Sequence, residues 1–222
     1  MEQWYGPKDF ETSAAPLLRD LVCGALLAGG KSSRFQGADK QEAIFEGETL
    51  GRKAAANLLG AGIDVLVVGS NRAPYSGLEL RFVRDLLPGF GPLSGLHAAL
   101  AACERPWLYL LACDMPRFSP IWLAHLVSRV GGPGIGGAVS TPLAAAASFG
   151  PHIEPFHALY SKACIPLLEA YAAEAGKGDA RPSIQGFLRS IGALLVPESE
   201  YAGLGLDRGL FLNINKPNQL IL

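Results

Sequence analysis

Residues 26–40 of the chain read LLAGGKSSRFQGADK, and this stretch indicates the class of fold. The apolar run 21–28 enters it as a buried strand and then gives way to glycine, hydroxyl and basic residues. Glycines allow backbone N–H groups to approach a ligand closely, and the charges of Arg34 and Lys40 suit a polyphosphate. Because open α/β sheets bind ligands where their strands end in such loops, the stretch predicts a phosphate-binding loop at a sheet edge.

Two common phosphate-binding motifs are absent from this stretch. The Walker pattern requires a glycine five residues before Gly30, where Ala25 stands instead. The dinucleotide fingerprint G-x-G-x-x-G fails because Gly29 and Gly30 are adjacent, which excludes a Rossmann dehydrogenase. The remaining pattern, A-G-G-x-S-x-R followed by D-K, resembles the opening signature of nucleotidyltransferases that load a nucleoside triphosphate onto a small acceptor.

The composition favours one folded domain. Of the 222 residues, 49% are hydrophobic and 18% are charged, which favours a compact core over disorder. The net charge of −1 gives no indication of a nucleic acid or membrane partner, and no segment approaches the ~20 apolar residues of a membrane span. We therefore expect an N-terminal extension over residues 1–20, without a secretion signal, and a single domain over residues 21–222.

The four cysteines are scattered along the chain and form no C-x-x-C pair. We therefore expect small buried thiols that neither pair nor bind metal, although Cys113 adjoins a candidate metal ligand. Unpaired thiols favour a reducing compartment, so a cytoplasmic location is predicted.

Strand-like and helix-like segments alternate along the first two-thirds of the chain. Strands are predicted at residues 21–28, 63–68, 80–83, 107–111, 156–160, 193–196 and 211–214. Helices are predicted at residues 50–61, 91–103, 120–130 (with Ser119 as N-cap), 161–175 and 183–191. Residues 179–183 and 197–209 are interpreted as surface loops, and the alanine run 144–147 as packing or loop filler. The alternation predicts an α/β fold: a single-domain, Rossmann-like three-layer sandwich with a mostly parallel sheet.

Two further segments follow predicted strands and point to the same sheet edge. Residues 85–95 read DLLPGFGPLSG, and a helix beginning near Gly91 offers N–H groups to an anion or to the polar edge of a base. A tight strand-to-helix turn would need the same glycines and proline. Asp85 has the acceptor-only carboxylate that suits the N1 and N2 donors of guanine.

The buried strand 107–111 leads to Asp114. An aspartate there can bind a metal, cap a helix or turn the chain, but Ser119 is available to cap the next helix. Mg²⁺ needs only one or two carboxylates when phosphate oxygens and water fill its remaining positions. Asp114 is therefore a candidate Mg²⁺ ligand.

Together these segments resemble the molybdenum cofactor guanylyltransferase family, within the sugar-nucleotide-type nucleotidyltransferases, over residues 22–220. The matching motifs are AGGKSSR and DK in the first loop, GPLSG at 91–95, CDMP at 113–116, PFHALY at 155–160 and NINKP at 213–217. The chain departs from the family pattern at Phe35-Gln36, at Gln41-Glu42-Ala43, where small apolar residues are usual, and at Lys216, where threonine is usual.

The resemblance implies the nucleotidyltransferase fold and transfer of GMP from GTP to the terminal phosphate of molybdopterin, with pyrophosphate release and Mg²⁺ as cofactor. That phosphate is already ionised near neutral pH, so no general base is expected. The implied catalytic residues are Arg34, Lys40 and Asp114, with Asp114 as the metal ligand. The implied nucleotide-binding residues are Leu27, Ala28, Gly29, Gly30, Ser32, Lys40, Asp85, Gly91, Pro92 and Leu93. Asn213 and Asn215 are implied near the acceptor, and transient contact with molybdoenzyme apoproteins or their chaperones is expected.

Other interpretations remain open at this stage. Arg181 and Ser183 precede a helix and suit the acceptor phosphate as well as an ordinary solvated helix end. His157 fits either the acceptor cleft or the core. The same fold also serves a cytidylyltransferase acting on molybdopterin, which tends to lack the second loop glycine, and a sugar-phosphate nucleotidyltransferase, which the NINKP ending disfavours. A non-catalytic protein that binds and delivers the cofactor is the alternative from another functional class.

Overall fold

The computed structural model describes residues 15–28, 39–85, 89–131, 141–175 and 182–214. The helices in these ranges are α1 (Ala15–Leu21), α2 (Leu50–Gly60), α3 (Pro92–Ala102), α4 (Pro120–Arg129), α5 (Ile165–Ala175), α6 (Ile184–Ser190) and α7 (Glu198–Gly203). The strands are β1 (Val22–Leu27), β2 (Ile44–Phe45), β3 (Glu48–Thr49), β4 (Asp64–Val68), β5 (Arg81–Val83), β6 (Trp107–Ala112), β7 (Ala144–Phe149), β8 (His152–Ile153), β9 (Ala158–Ser161) and β10 (Leu194–Pro197). Short 3₁₀ helices cover Lys40–Glu42, Ala73–Tyr75, Lys162–Cys164 and Arg208–Phe211.

The main sheet is mostly parallel, in the order β10-β7-β9-β6-β1-β4-β5, with β8 paired to β7. β1 pairs in parallel with β4 and β6, β4 pairs in parallel with β5, and β7 pairs in parallel with β10. β9 runs antiparallel to both of its neighbours, β6 and β7. The predicted mainly parallel sheet is therefore confirmed, with one reversed strand in its interior.

Helices cover both faces of this sheet. One core cluster packs α1, α2 and α4 against one face through Leu18, Leu58 and Leu123. The other packs α3 and α5 against the opposite face through Leu96 and Leu168. Because both faces are covered, β1 is buried at every position, as its unbroken apolar sequence requires. The predicted three-layer α/β sandwich is confirmed.

Local signals explain where the helices begin. The Ser119 hydroxyl accepts a hydrogen bond from the Trp122 N–H at 3.2 Å, and Pro120 occupies the first turn of α4, as predicted. Thr49 caps α2 in the same way through the Arg52 N–H at 3.3 Å. Helix α1 straddles the predicted boundary between residues 20 and 21, and Leu18 is buried in the core.

Three predictions in the second half of the chain are wrong. The alanine run 144–147 is buried, which agrees with a packing role, but it is not loop filler. It lies in strand β7, where pairing with β9 and β10 compensates for the low strand propensity of alanine. Residues 211–214 form no strand: Phe211 ends a 3₁₀ helix, and the following residues continue without a strand partner. The predicted loop 197–209 contains the short helix α7.

Across the described ranges, no helix is long and apolar enough to span a membrane.

Candidate active site

The carboxyl ends of four neighbouring strands meet at one edge of the sheet. Leu27 at the end of β1 is in register with Val68 of β4 and with Ala112 of β6, and Val68 is in register with Val83 of β5. The Cys113 N–H donates to the Leu27 carbonyl at 3.1 Å and so ties two strand ends together. The segments that follow these strands surround a cleft of about 340 Å³, which lies in the usual size range of small-molecule sites.

Most of the site residues that were predicted and are described lie in this cleft. They are Leu27, Ala28, Lys40, Asp85, Gly91, Pro92, Asp114 and Asn213. Two others do not line it: the side chain of Leu93 is buried in the core, and Ser183 caps helix α6 through the Gly186 N–H at 3.0 Å. Gly29, Gly30, Ser32, Arg34, Arg181 and Asn215 lie outside the described residues.

Lys40 and Asp114 form an ion pair in the cleft. The Lys40 ammonium donates to Oδ2 of Asp114, and the two side chains are 20% and 13% exposed. Oδ1 of Asp114 is buried and has no hydrogen-bond partner among the described residues. One carboxylate oxygen therefore neutralises the lysine, while the other makes no hydrogen bond within the described ranges.

Lys40 lies in the first turn of a short 3₁₀ helix that Asp39 caps. Oδ1 of Asp39 accepts from the Gln41 N–H at 3.2 Å, and Oδ2 accepts from Asn71 Nδ2 at 2.8 Å. Asp39 itself lines the cleft. Residues from the first loop and from the loop after β4 are therefore linked around Lys40.

The nucleotide side of the cleft is formed by Asp85 and the start of helix α3. Gly91 caps this helix with φ 58° and ψ −132°, a backbone conformation that a residue with a Cβ rarely adopts. A Cβ at Gly95 would lie 2.9 Å from Cδ2 of Leu27, so the helix can approach β1 closely only without one. Partial burial raises the pKa of Asp85 above its ordinary value. A carboxylate and a helix N-terminus thus lie beside the strand end that supplies Leu27 and Ala28.

Asn213 reaches the cleft because the C-terminal segment is tied to Asp114. The Ile214 N–H donates to the Asp114 carbonyl at 2.8 Å, and the Ile214 side chain is buried. Oδ1 of Asn213 is also buried without a hydrogen-bond partner in the described ranges. Asp114 and Asn213 therefore both line the cleft, and each carries a buried side-chain oxygen that has no hydrogen-bond partner among the described residues.

Phe156 also lines the cleft, and the next residue supports its position. His157 has a left-handed backbone, with φ 50°, and its carbonyl accepts from Trp122 Nε1 at 2.7 Å. Its Nδ1 lies 2.9 Å from the Tyr109 hydroxyl, with which it shares a hydrogen bond. Full burial lowers the pKa of His157 to about 3, so the ring is neutral at physiological pH. His157 is therefore a core residue that supports the turn carrying Phe156.

Two ionisable residues near the cleft were not assigned a site role from the sequence. Burial, with a smaller contribution from the Asp114 charge, raises the pKa of Glu154 to about 7, while a hydrogen bond from the Phe156 N–H opposes the rise. Burial and the Asp114 charge raise the pKa of Cys113 to about 12, so its thiol stays protonated although it lines the cleft. Adjacency to Asp114 drew attention to Cys113, but no sequence signal marked Glu154.

The donor set in the cleft fits a magnesium ion. Mg²⁺ prefers oxygen ligands and is held by one or two protein groups together with phosphate oxygens and water. Asp114 Oδ1 and Asn213 Oδ1 are oxygens with no hydrogen-bond partner in the part of the chain that the structure describes. Within the described ranges, no group of three or more histidine, cysteine or acidic residues could hold a metal alone. The site therefore suits a metal that arrives with a phosphate ligand.

Comparisons with known proteins agree with this geometry. The chain is 30% identical over 198 residues to a probable molybdenum cofactor guanylyltransferase of Pelotomaculum thermopropionicum, covering 89% of each chain. Its fold matches the molybdopterin-guanine dinucleotide biosynthesis protein A of Archaeoglobus fulgidus with a TM-score of 0.68 and 26% identity, covering 89% of this chain and 94% of that one. The cytidylyltransferase for 2-C-methyl-D-erythritol 4-phosphate from Thermus thermophilus shares the fold at a TM-score of 0.60 and 18% identity, covering 90% and 96%.

The strongest statement about family comes from the domain profile. The profile described as the MobA-like NTP transferase domain matches residues 24–190, which include β1, β4, β5, β6 and the cleft residues up to Phe156. The chain is therefore a nucleotidyltransferase that belongs to the MobA-like NTP transferase family.

Proposed function

We propose that this chain transfers GMP from GTP to the terminal phosphate of molybdopterin and releases pyrophosphate. The observation that carries the proposal is one cleft that joins Asp85 and the start of α3 to the Lys40–Asp114 pair and to Asn213. The names of the Pelotomaculum and Archaeoglobus proteins support the guanine nucleotide and the molybdopterin acceptor.

The nucleotide half of the cleft suits guanine. Guanine presents two neighbouring donors, N1–H and N2–H, and the Asp85 carboxylate offers two acceptors at the cleft wall. Cytosine presents one amino donor beside an acceptor, which a carboxylate repels. Gly91 and Gly95 both line the cleft and present no side chain to a base there. Backbone strain disfavours a Cβ at Gly91, and contact with Leu27 disfavours one at Gly95.

The chemistry rests on charge neutralisation and positioning. The acceptor phosphate is already an anion, so Lys40 is assigned to the triphosphate rather than to proton transfer, and Arg34, Gly29, Gly30 and Ser32 are assigned to the same group. On nucleotide binding, the Lys40 ammonium exchanges its hydrogen bond to Asp114 for hydrogen bonds to phosphate oxygens. Attack on the α-phosphorus then forms the new P–O bond as pyrophosphate leaves.

Magnesium completes this site in the proposal. Asp114 would hold the ion through its carboxylate, whose Oδ2 Lys40 vacates and whose Oδ1 has no hydrogen-bond partner among the described residues. Asn213, which lines the same cleft, is a second candidate oxygen ligand. A bound Mg²⁺ would supply charge neutralisation at the phosphate oxygens of the nucleotide. The protein contributes the fixed carboxylate and the closed wall formed by Cys113 and Ala112.

The acceptor half of the cleft is assigned to the side of Phe156 and Asn213. Phe156 offers an aromatic face to a pterin ring, and Asn213 offers an unsatisfied amide oxygen. Asn215, Arg181 and Ser183 are retained as candidate contacts to the acceptor phosphate. We also propose a cytoplasmic location, supported by four buried cysteines without disulfides, and transfer of the product to a molybdoenzyme apoprotein or its chaperone.

The first test is nucleotide selectivity. The purified protein is heated with Mg²⁺ and GTP, CTP, ATP or UTP, and a nucleotide at 100 times its dissociation constant stabilises the folded state by about 2.7 kcal/mol. We expect a selective response to GTP, followed by pyrophosphate release when molybdopterin is added. Asp85→Ala should weaken GTP binding by about 10- to 100-fold through the loss of charge-assisted hydrogen bonds.

A matched variant controls for the loss of a carboxylate. Asp64 lies at the opposite end of β4, is exposed and pairs with Arg105, so Asp64→Ala should leave GTP binding unchanged. Selectivity for CTP would assign the chain to a cytidylyltransferase instead. Nucleotide binding without pyrophosphate release in the presence of molybdopterin would favour a delivery protein and contradict the proposal.

A further inference from the structure

Gln41 is a buried polar residue next to Lys40 in the chain. It is 2% exposed, and a buried amide is costly unless it makes hydrogen bonds. Its Nε2 donates to the Ala28 carbonyl at 3.2 Å and to Oδ2 of Asp39 at 2.8 Å.

Both acceptors belong to the wall of the cleft. Ala28 follows β1 and Asp39 precedes the 3₁₀ helix of Lys40, so a single amide joins the described residues on either side of segment 29–38. Asn71, in the loop after β4, donates to the same oxygen of Asp39 at 2.8 Å and to Oε1 of Glu42 at 2.8 Å. Three parts of the chain therefore meet at Gln41 and Asp39.

The network acts on Lys40 through its immediate neighbours. Asp39 and Gln41 flank Lys40, and the amide of Gln41 attaches this short helix to the end of β1. These bonds constrain the backbone that carries Lys40, and hence where its ammonium lies relative to Asp114. An error of 1 Å in the position of a catalytic group lowers rates by about 10²-fold.

We propose that Gln41 is a positioning residue that holds Lys40 and the end of β1 in the arrangement needed for nucleotidyl transfer. This inference rests on the proposed function for its catalytic consequence, but the position of Lys40 can be measured without any ligand. Gln41 touches neither nucleotide nor acceptor in this assignment and acts through Lys40 and Ala28.

The first experiment measures Lys40 directly. Gln41→Met keeps the length of the side chain and removes the amide, and trace acetylation followed by peptide mass spectrometry reports the reactivity of each lysine. We expect Lys40 to react about tenfold faster in the variant, since two buried hydrogen bonds are lost, while Lys53, paired with Glu46 at 2.6 Å, stays unchanged. Gln185→Met makes the same chemical change at an amide on α6 and should leave both lysines unchanged.

Two outcomes of this experiment would contradict the inference. An unchanged rate at Lys40, or an equal rise at Lys40 and Lys53, would show that Gln41 does not position this lysine. Should Gln41→Met fail to fold, Asp39→Asn serves as the second variant, because it places an amide donor against the donors of Gln41 and Asn71.

The second experiment separates positioning from general packing by a double-mutant cycle on kcat. Gln41→Met should lower kcat by about 10²-fold in the wild-type background and by less than about threefold when Lys40 is already methionine. Additive effects would contradict action through Lys40. If the wild-type protein transfers no nucleotide, the proposed function fails, whereas the acetylation result still decides the role of Gln41.

Discussion

Glu154 allows a stability prediction that depends on the protonation of one side chain. It follows strand β8, its side chain is 14% exposed, and Oε1 accepts from the Phe156 N–H at 3.1 Å. Burial and the Asp114 charge raise its pKa from 4.5 to about 7. The folded protein therefore holds a proton on Glu154 across a pH range in which the unfolded chain has already lost it.

The sign and size of the effect follow from this difference. Glu154 stabilises the folded state fully below pH 4.5, and this contribution is lost as the pH rises through about 7. The shift from 4.5 to about 7 corresponds to about 3 kcal/mol at about 1.4 kcal/mol per pH unit. Glu154→Gln keeps an oxygen for the Phe156 N–H and stays neutral, so it should stabilise the protein by about 3 kcal/mol at pH 8 and by little at pH 4.

Thermal unfolding at pH 4 and pH 8 measures the difference. For a chain of this length about 3 kcal/mol corresponds to a rise in Tm of roughly 6–12 °C. Glu104→Gln serves as control, because Glu104 is exposed and its ion pair with Arg81 contributes little. An equal change in Tm at both pH values, or a lower Tm at pH 8, would refute the reasoning.

Three further outcomes are expected. Asp114→Asn should lower the rate of pyrophosphate release by about 10²-fold or more, through loss of the charge that faces Lys40 and, under the proposed function, Mg²⁺; an unchanged rate contradicts the assignment. Cys113, whose thiol pKa is raised to about 12, should resist iodoacetamide at pH 8 in the native protein, and labelling as fast as in urea would disprove its burial. Burial lowers the pKa of His157 from 6.5 to about 3, so its stabilising contribution is complete above pH 6.5 and is lost as the pH falls toward 3. In His157→Asn, which keeps a residue that tolerates a left-handed backbone, the free energy of unfolding in urea should depend less on acid pH than in the wild type. The same pH dependence in both proteins would exclude this role.

The first half of the fold was predictable because its local signals agree with its packing. The predicted helix 50–61 is observed as Leu50–Gly60, and the predicted helix 91–103 as Pro92–Ala102. Strands covered on both faces are continuous apolar runs, so β4 and β6 were also placed correctly. In this half of the chain, the apolar sequence pattern of each element matches the burial that the element has in the fold.

The second half depends on partners that a local pattern does not reveal. Four alanines in β7 have low strand propensity, and only pairing with β9 and β10 keeps them extended. Residues 211–214 have the apolar pattern of a strand, yet the Ile214 N–H bonds to Asp114 rather than to a neighbouring strand. The reversed direction of β9 was likewise invisible in its sequence.

The candidate site divides along the same line. Lys40, Asp85 and Asp114 were found because each follows a strand within a motif, and the register of the strands brings them to one cleft. Gln41 and Glu154 owe their properties largely to burial and to residues distant in the chain, Ala28 for the first and Asp114 for the second. Sequence reasoning therefore locates the charged groups but not the interactions that hold or perturb them.

Under the proposed function, the Lys40–Asp114 pair also affects which form of the metal ion binds to the resting protein. A free divalent ion must compete for the Asp114 carboxylate with the Lys40 ammonium, which is paired with it and is part of the same chain. A divalent ion bound to a triphosphate brings phosphate oxygens that can pair with the Lys40 ammonium. After this exchange the ammonium is paired with phosphate and the Asp114 carboxylate with the metal ion. Under the proposed function, the resting Lys40–Asp114 pair therefore favours a metal ion bound to a nucleotide over a free metal ion, so the metal and the nucleotide are expected to bind together.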